Sequence, residues 1–178
     1  MWWLNEPAQW SLRDGVLDVA AERGTDFWRV TGYGFIRDGG HVYGRTIQGD
    51  TDISVRLRGQ FRHQYDQAGL MLYVDESTWI KAGVEYVDGR LHLSTVVTRD
   101  FSDWSMTEAP DGVEDVWLRL TRRAEAVEVH FSADGEDYRQ LRLGYLPPDR
   151  AALAGVMCAA PEGEGFAVSF HGLTVAGS

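Results

Sequence analysis

The stretch His63–Ser105 reads HQYDQAGLMLYVDESTWIKAGVEYVDGRLHLSTVVTRDFSDWS. Three consecutive β-strands are predicted within it, roughly Gln67–Val74, Thr78–Val87 and Arg90–Arg99. The middle strand alternates strictly. Trp79, Lys81, Gly83 and Glu85 share one face, and Ile80, Ala82, Val84 and Tyr86 share the other. On the strand before it, Gln67, Gly69, Met71 and Tyr73 share a face by the same period of two. A tryptophan, a cation and a carboxylate on one face make a poor inert surface and a plausible binding face.

The same pattern extends outward. Short segments that alternate apolar with polar residues recur at Trp10–Arg13, Val16–Ala20, Gly44–Ile47, Thr51–Gly59, Trp117–Arg123, Ala126–Ser132, Tyr138–Leu143, Ala152–Ala159 and Phe166–Val175. Asp-Gly pairs at Asp14-Gly15, Asp38-Gly39, Asp88-Gly89, Asp111-Gly112 and Asp134-Gly135 suit tight turns, because both residues tolerate positive φ. Helix is expected only as a short turn near Pro147–Arg150. Many short antiparallel strands predict an all-β, two-sheet sandwich. Val116, Leu118, Leu120, Val127, Val129 and Phe131 are expected inside it. Trp117, Arg119, Thr121, Glu128, His130 and Ser132 are expected outside. If these strands share a sheet with the central three, their polar faces join into one shallow groove.

A chain of 178 residues suits one domain, 1–178, with a substantial core. Its net charge of −10 disfavours nucleic acid and anionic membrane surfaces, since no basic patch offsets it. The single cysteine, Cys158, lies among small apolar neighbours and reads as a buried hydrophobe in a reducing compartment. The amino terminus, MWWLNEPAQW, has no basic segment leading an apolar run, so no signal peptide is expected and the expected location is the cytoplasm. Seven tryptophans exceed what the core needs, so some rings are expected to face a groove or a partner.

Further strings carry a resemblance. Thr25-Asp26-Phe27-Trp28, Thr31-Gly32-Tyr33-Gly34, Asp38-Gly39-Gly40-His41, Tyr65-Asp66-Gln67-Ala68-Gly69-Leu70, Trp79–Glu85, Thr98-Arg99, Ser102-Asp103-Trp104-Ser105, Ser132–Gly135 and Gly165–Val168 together resemble the DUF1349 family over nearly the whole chain. That family includes proteins similar to a yeast regulator of enolase. The resemblance implies a concanavalin A-like jelly-roll sandwich whose concave sheet holds sugar in carbohydrate-binding relatives. It does not settle function, because the fold hosts many roles.

The candidate ligand-binding residues are Trp79 as an aromatic platform and Gln67, Lys81 and Glu85 as hydrogen-bonding groups, with Gly69 and Gly83 lowering the sheet surface. Lys81 and Glu85 stand roughly 13 Å apart along one strand, too far to pair directly. His41, Tyr65, Asp66 and Trp104 are the candidate rim. Asp66 could equally cap a turn, and Trp104, in a loop after the third strand, could equally plug the sandwich edge. Thr25–Arg29 could fold over the groove or pack beneath a longer loop.

No HxH or HExxH spacing suggests a metal site, and no cofactor motif is present. No ExDxxE strand occurs of the kind that glucanases on this fold use, and Glu85 has no carboxylate two positions away. The expected function is a non-catalytic domain that binds a carbohydrate or small polar metabolite. A glycan-active hydrolase or lyase is the second reading. A protein-interaction or regulatory module, with a possible homodimer, is the third.

Overall fold

Both faces of the alternating strand are buried, and this sets the architecture of residues 1–177, the part of the chain that the computed structural model describes. The strand, β9 (Thr78–Val87), sits within a seven-stranded antiparallel sheet. On one side lie β10 (Arg90–Arg99) and the edge strand β11 (Phe101–Glu108). On the other lie β8 (Gln67–Asp75), β15 (Ala152–Ala159), β6 (His41–Ile47) and β1 (Trp2–Leu4). The second antiparallel sheet runs β14 (Arg139–Tyr145), β13 (Ala126–Ser132), β12 (Val116–Arg123), β7 (Thr51–Gly59), β16 (Phe166–Gly177), β3 (Val16–Ala21), β2 (Trp10–Arg13). A short ribbon, β4 (Phe27–Arg29) with β5 (Ile36–Asp38), stands apart from both. This is the jelly-roll-type sandwich expected. Asp88-Gly89, at φ of 50° and 81°, makes the β9–β10 hairpin as the sequence predicts.

Parity along β9 divides the molecule into two cores. Ile80, Ala82 and Val84 point between the sheets, where they meet Leu118, Leu120, Val127 and Val129. Burying each such branched side chain contributes about 2 kcal/mol. Phe131 is partly buried against the same core, opposite Leu118, and Ser132, expected outside, is buried with its hydroxyl donating to Asp134 at 2.7 Å. The opposite face of β9 carries Trp79, which packs with Met71, Val96, Leu153 and Met157 beneath Phe27 and Trp28 of the ribbon.

The ribbon is tied down at several points. Tyr73 donates its hydroxyl to Asp38 at 2.8 Å, and the Arg29 amide donates to Ser102 Oγ at 2.9 Å. Gly40 has no side chain for a steric reason: a Cβ there would run into the Phe27 ring.

Three expectations are corrected. Phe101–Ser105 is not a loop but the start of β11, which pairs with β10 through a link of one residue, Asp100, at φ 62°. Pro147–Arg150 forms no helix. Arg122 Nη2 instead donates to the carbonyls of Pro147, Pro148 and Arg150, the first two from residues that have no amide to give a helix. The strands carrying Trp117, Arg119, Glu128 and His130 belong to the second sheet, so they do not extend the face that carries Lys81. Among the described residues there is no helix, and so none long and apolar enough to cross a membrane.

Two glycine pairs, Gly69 with Gly83 and Gly44 with Gly155, sit opposite each other on neighbouring strands. A Cβ at Gly69 would strike the carbonyl of Ala82, and one at Gly83 the carbonyl of Ala68. The glycines therefore serve strand-to-strand approach. Gly69→Ala is expected to lower unfolding stability by about 2 kcal/mol in urea melts. Gly39→Ala, where a Cβ meets nothing within 4 Å, is expected to change it by less than about 0.5 kcal/mol.

Candidate functional site

The register of the first sheet brings Gln67 opposite Glu85 and Met71 opposite Lys81, so the three polar residues predicted from periodicity do share one patch. Lys81 is 5% exposed and Glu85 6%. Lys81 Nζ donates to the Phe27 carbonyl at 2.7 Å and to Gln67 Oε1 at 2.5 Å, and lies 3.7 Å from Asp26 Oδ1. Gln67 Nε2 completes the set by donating to the Tyr65 carbonyl at 3.1 Å and to Asp26 Oδ1 at 3.4 Å. Asp26 Oδ1 also accepts from the Phe27 amide at 2.8 Å. A buried ammonium is tolerable only when paired in this way.

Glu85 lies further along the strand, opposite His92 of β10 and within reach of Trp104 on β11. Its Oε2 accepts from Trp104 Nε1 at 3.1 Å, and the same indole N–H also reaches Ser94 Oγ at 3.0 Å. Burial pushes the Glu85 carboxyl above its ordinary range, against the opposing pull of Lys81, Ser94 and Trp104.

Above this polar floor the ribbon and its neighbours supply aromatic walls. Trp28 meets Tyr33 at 5.5 Å between ring centroids and Trp104 at 6.1 Å, and Tyr65 meets Trp104 at 6.3 Å, all edge to face. Tyr33 stacks on Phe35 at 5.5 Å. The Trp28 indole N–H is fixed to the Thr31 carbonyl at 2.9 Å. Tyr33 and Tyr65 hydroxyls lie 3.5 Å apart, and this contact together with burial pushes Tyr33 up to about 12. The cavity measures about 350 Å³, opens to solvent, and is lined by these rings together with Asp26, Gln67, Lys81 and Glu85, with Arg37 and Glu162 also on its wall.

The structure thus gathers Gln67, Lys81, Glu85, Tyr65 and Trp104 around one cavity. Three candidates fall outside it. Trp79 cannot be a platform, since it is 0% exposed and covered by Phe27 at 6.0 Å. His41 pairs with Cys158 of the inter-sheet core and so faces away from Lys81. Its Nδ1 contacts the Asn5 carbonyl at 2.6 Å, and its Nε2 accepts from the Glu22 amide. Asp66 is a turn cap: Oδ2 accepts from the amides of Arg62 and His63, each at 2.9 Å. That cap holds Tyr65 at φ 67°, which turns its ring to the cavity. Among the described residues, no three His, Cys, Asp or Glu side chains gather as metal ligands.

Thr25–Arg29, one candidate cover in the sequence, supplies Asp26 and Trp28 to the cavity wall, but sequence reading missed the contribution of Tyr33, Phe35 and Arg37. The available signal was the aromatic density of Phe27–Phe35, which is higher than a short connecting segment needs.

The profile of a family described as "Protein of unknown function (DUF1349)" matches residues 3–177. "Regulation of enolase protein 1" of Saccharomyces cerevisiae is 37% identical over 168 residues, which cover 94% of this chain and 85% of the yeast protein. A crystal structure of a functionally unknown protein from Saccharomyces cerevisiae superposes with a TM-score of 0.94 at 35% identity, covering 99% of this chain and 95% of that one. The GH43 protein BlXynB from Bacillus licheniformis superposes with a TM-score of 0.75 at 14% identity, covering 97% of this chain and 36% of that one. That last likeness speaks for the fold alone.

Glu85 generates a prediction about stability. Its carboxyl sits above the ordinary value of 4.5 in the folded state and returns to it on unfolding. The folded state therefore holds this proton more tightly. The resulting stabilisation is complete below the unfolded value and is lost as pH rises through the folded one. Glu85→Gln, permanently neutral, is expected to melt at a higher temperature than the parent near pH 7. The gap should close as pH falls towards 4.5. A variant that melts lower than the parent near pH 7 would contradict the burial argument.

Proposed function

The chain belongs to the DUF1349 family, and from that premise we propose that the cavity beneath the β4–β5 ribbon binds a small polar ligand, with a carbohydrate as the best-fitting class. One observation carries the reading: three polar side chains from adjacent strands are buried under a group of aromatic rings, in a cavity of about 350 Å³. A sugar presents apolar C–H faces and a rim of hydroxyls, so it suits stacking walls over a floor of donors and acceptors. Small-ligand sites fall in this size range, roughly 300–1,000 Å³, and combine apolar walls with a few placed polar groups.

Binding is favoured over hydrolysis by the fate of the carboxylates. Hydrolysis of a glycosidic bond generally takes two carboxyl groups in defined roles. Asp26 is already engaged by Lys81, Gln67 and the Phe27 amide, which leaves Glu85 as the buried carboxylate with capacity to spare.

The yeast relative's name ties that protein to regulation of enolase. For this chain it supports a second, compatible reading, in which ligand occupancy of the cavity signals metabolic state to a protein partner.

Lys81 is a poor residue with which to test either reading, since it anchors the ribbon backbone through Phe27. Tyr33 and Phe35 are better, being 50% and 38% exposed. Calorimetry against a panel of mono- and disaccharides and sugar phosphates should find at least one binder to the parent. The Tyr33→Ala/Phe35→Ala double variant should bind it at least about ten-fold more weakly, a loss of about 1.4 kcal/mol, with the same melting temperature. Undiminished binding by the double variant would move the site elsewhere.

A further inference from the structure

Charge and hydrogen bonding in the cavity are unevenly satisfied. Lys81 Nζ has oxygens on three sides, from Phe27, Gln67 and Asp26, so its donors are engaged within the protein. Arg37 stacks its guanidinium over the Phe35 ring at 5.0 Å, on the exposed part of the ribbon. Glu85 differs from both. Trp104 donates to its Oε2 at 3.1 Å, and the Ser94 hydroxyl beside it is a second donor to the carboxylate. No other side chain donates to it among the described residues, and Glu85 lines the cavity. An ionised carboxylate has room for about four donors, so a 6%-exposed one holding two is under-satisfied.

The surroundings of that carboxylate also suit positive charge. Trp28, Tyr33, Tyr65 and Trp104 meet one another nearly perpendicularly, at 74°, 84° and 76°, around the same space. The faces of tryptophan and tyrosine attract cations. The net charge of −10 adds a long-range attraction of the same sign.

We infer that the ligand of this cavity carries a protonated amine on a hydroxylated scaffold, with the ammonium donating to Glu85 beside the Trp28 and Trp104 rings that line the same cavity. The inference rests on the cavity being the binding site, and it adds the ligand's charge. An N–H-bearing ammonium fits better than a quaternary one, because the unmet need is for a donor. Gln67 and the tyrosine hydroxyls are left for the ligand's own hydroxyls. Amino sugars and amino alcohols are the simplest members of the class.

Two matched pairs test it: glucosamine against glucose, and ethanolamine against ethylene glycol, titrated near pH 7 into isotopically labelled protein. The indole N–H signals of Trp28 and Trp104 report on the cavity. In each pair the amine is expected to shift them at a concentration at least ten-fold lower than its neutral partner. Glu85→Gln is expected to erase that preference while the amide spectrum stays dispersed, which separates lost recognition from lost folding. Glucose acting at the same concentration as glucosamine overturns the inference and leaves a neutral-sugar pocket standing. No shift from any of the four compounds also overturns it, and the pocket itself is then judged by the saccharide panel. A preference for amines that survives Glu85→Gln overturns the role given to Glu85.

Discussion

The ammonium of Lys81 is the point on which the site depends. It rises from the middle of the first sheet and ends on the backbone carbonyl of Phe27, in a ribbon 54 residues away in sequence. Taking such a charge out of water costs several kcal/mol unless partners replace the solvent. Here the replacements are Gln67 from the neighbouring strand and Asp26 from the ribbon's entrance. One cation thus does two things. It joins the ribbon to the sheet, and its donors are engaged in doing so, leaving Glu85 as the under-satisfied charge of the cavity.

From this follows the division of the outer face of β9. Towards Trp79 the ribbon lies on the sheet and builds a second core with Phe27, Met71, Val96 and Leu153. Towards Glu85 the turn between the ribbon's strands brings Tyr33 and Phe35 to the cavity wall, and Trp28, packed in that core, lines the cavity as well. Alternation places these residues on one face, and the ribbon's path decides which of them stay open. Tyr65 joins the walls from the opposite side because Asp66 caps the turn that holds it.

This explains how much was legible in the sequence. Period two is local, so the strand limits of β9 and the shared face of Gln67, Lys81 and Glu85 could be read directly. The exposure of Trp79 could not, because it depends on a ribbon distant in the chain. His41 was misplaced for a related reason: its face is set by pairing with Cys158 across β6 and β15. Trp104 was read as a loop residue because Asp100 turns the chain in one step, without a glycine to mark it. Whether Arg119 and His130 share a sheet with Lys81 could not be read, because an outward-facing position does not reveal which sheet carries it.

The most direct measurement is the location of a bound ligand. Crystals of the protein soaked in mixtures of small sugars, amino sugars and polar metabolites would show where density appears. The account predicts density in the cavity, beside the Trp28 and Trp104 rings and within hydrogen-bond distance of Glu85. Ligand density at another place on the sandwich, with this cavity holding only solvent, would contradict it.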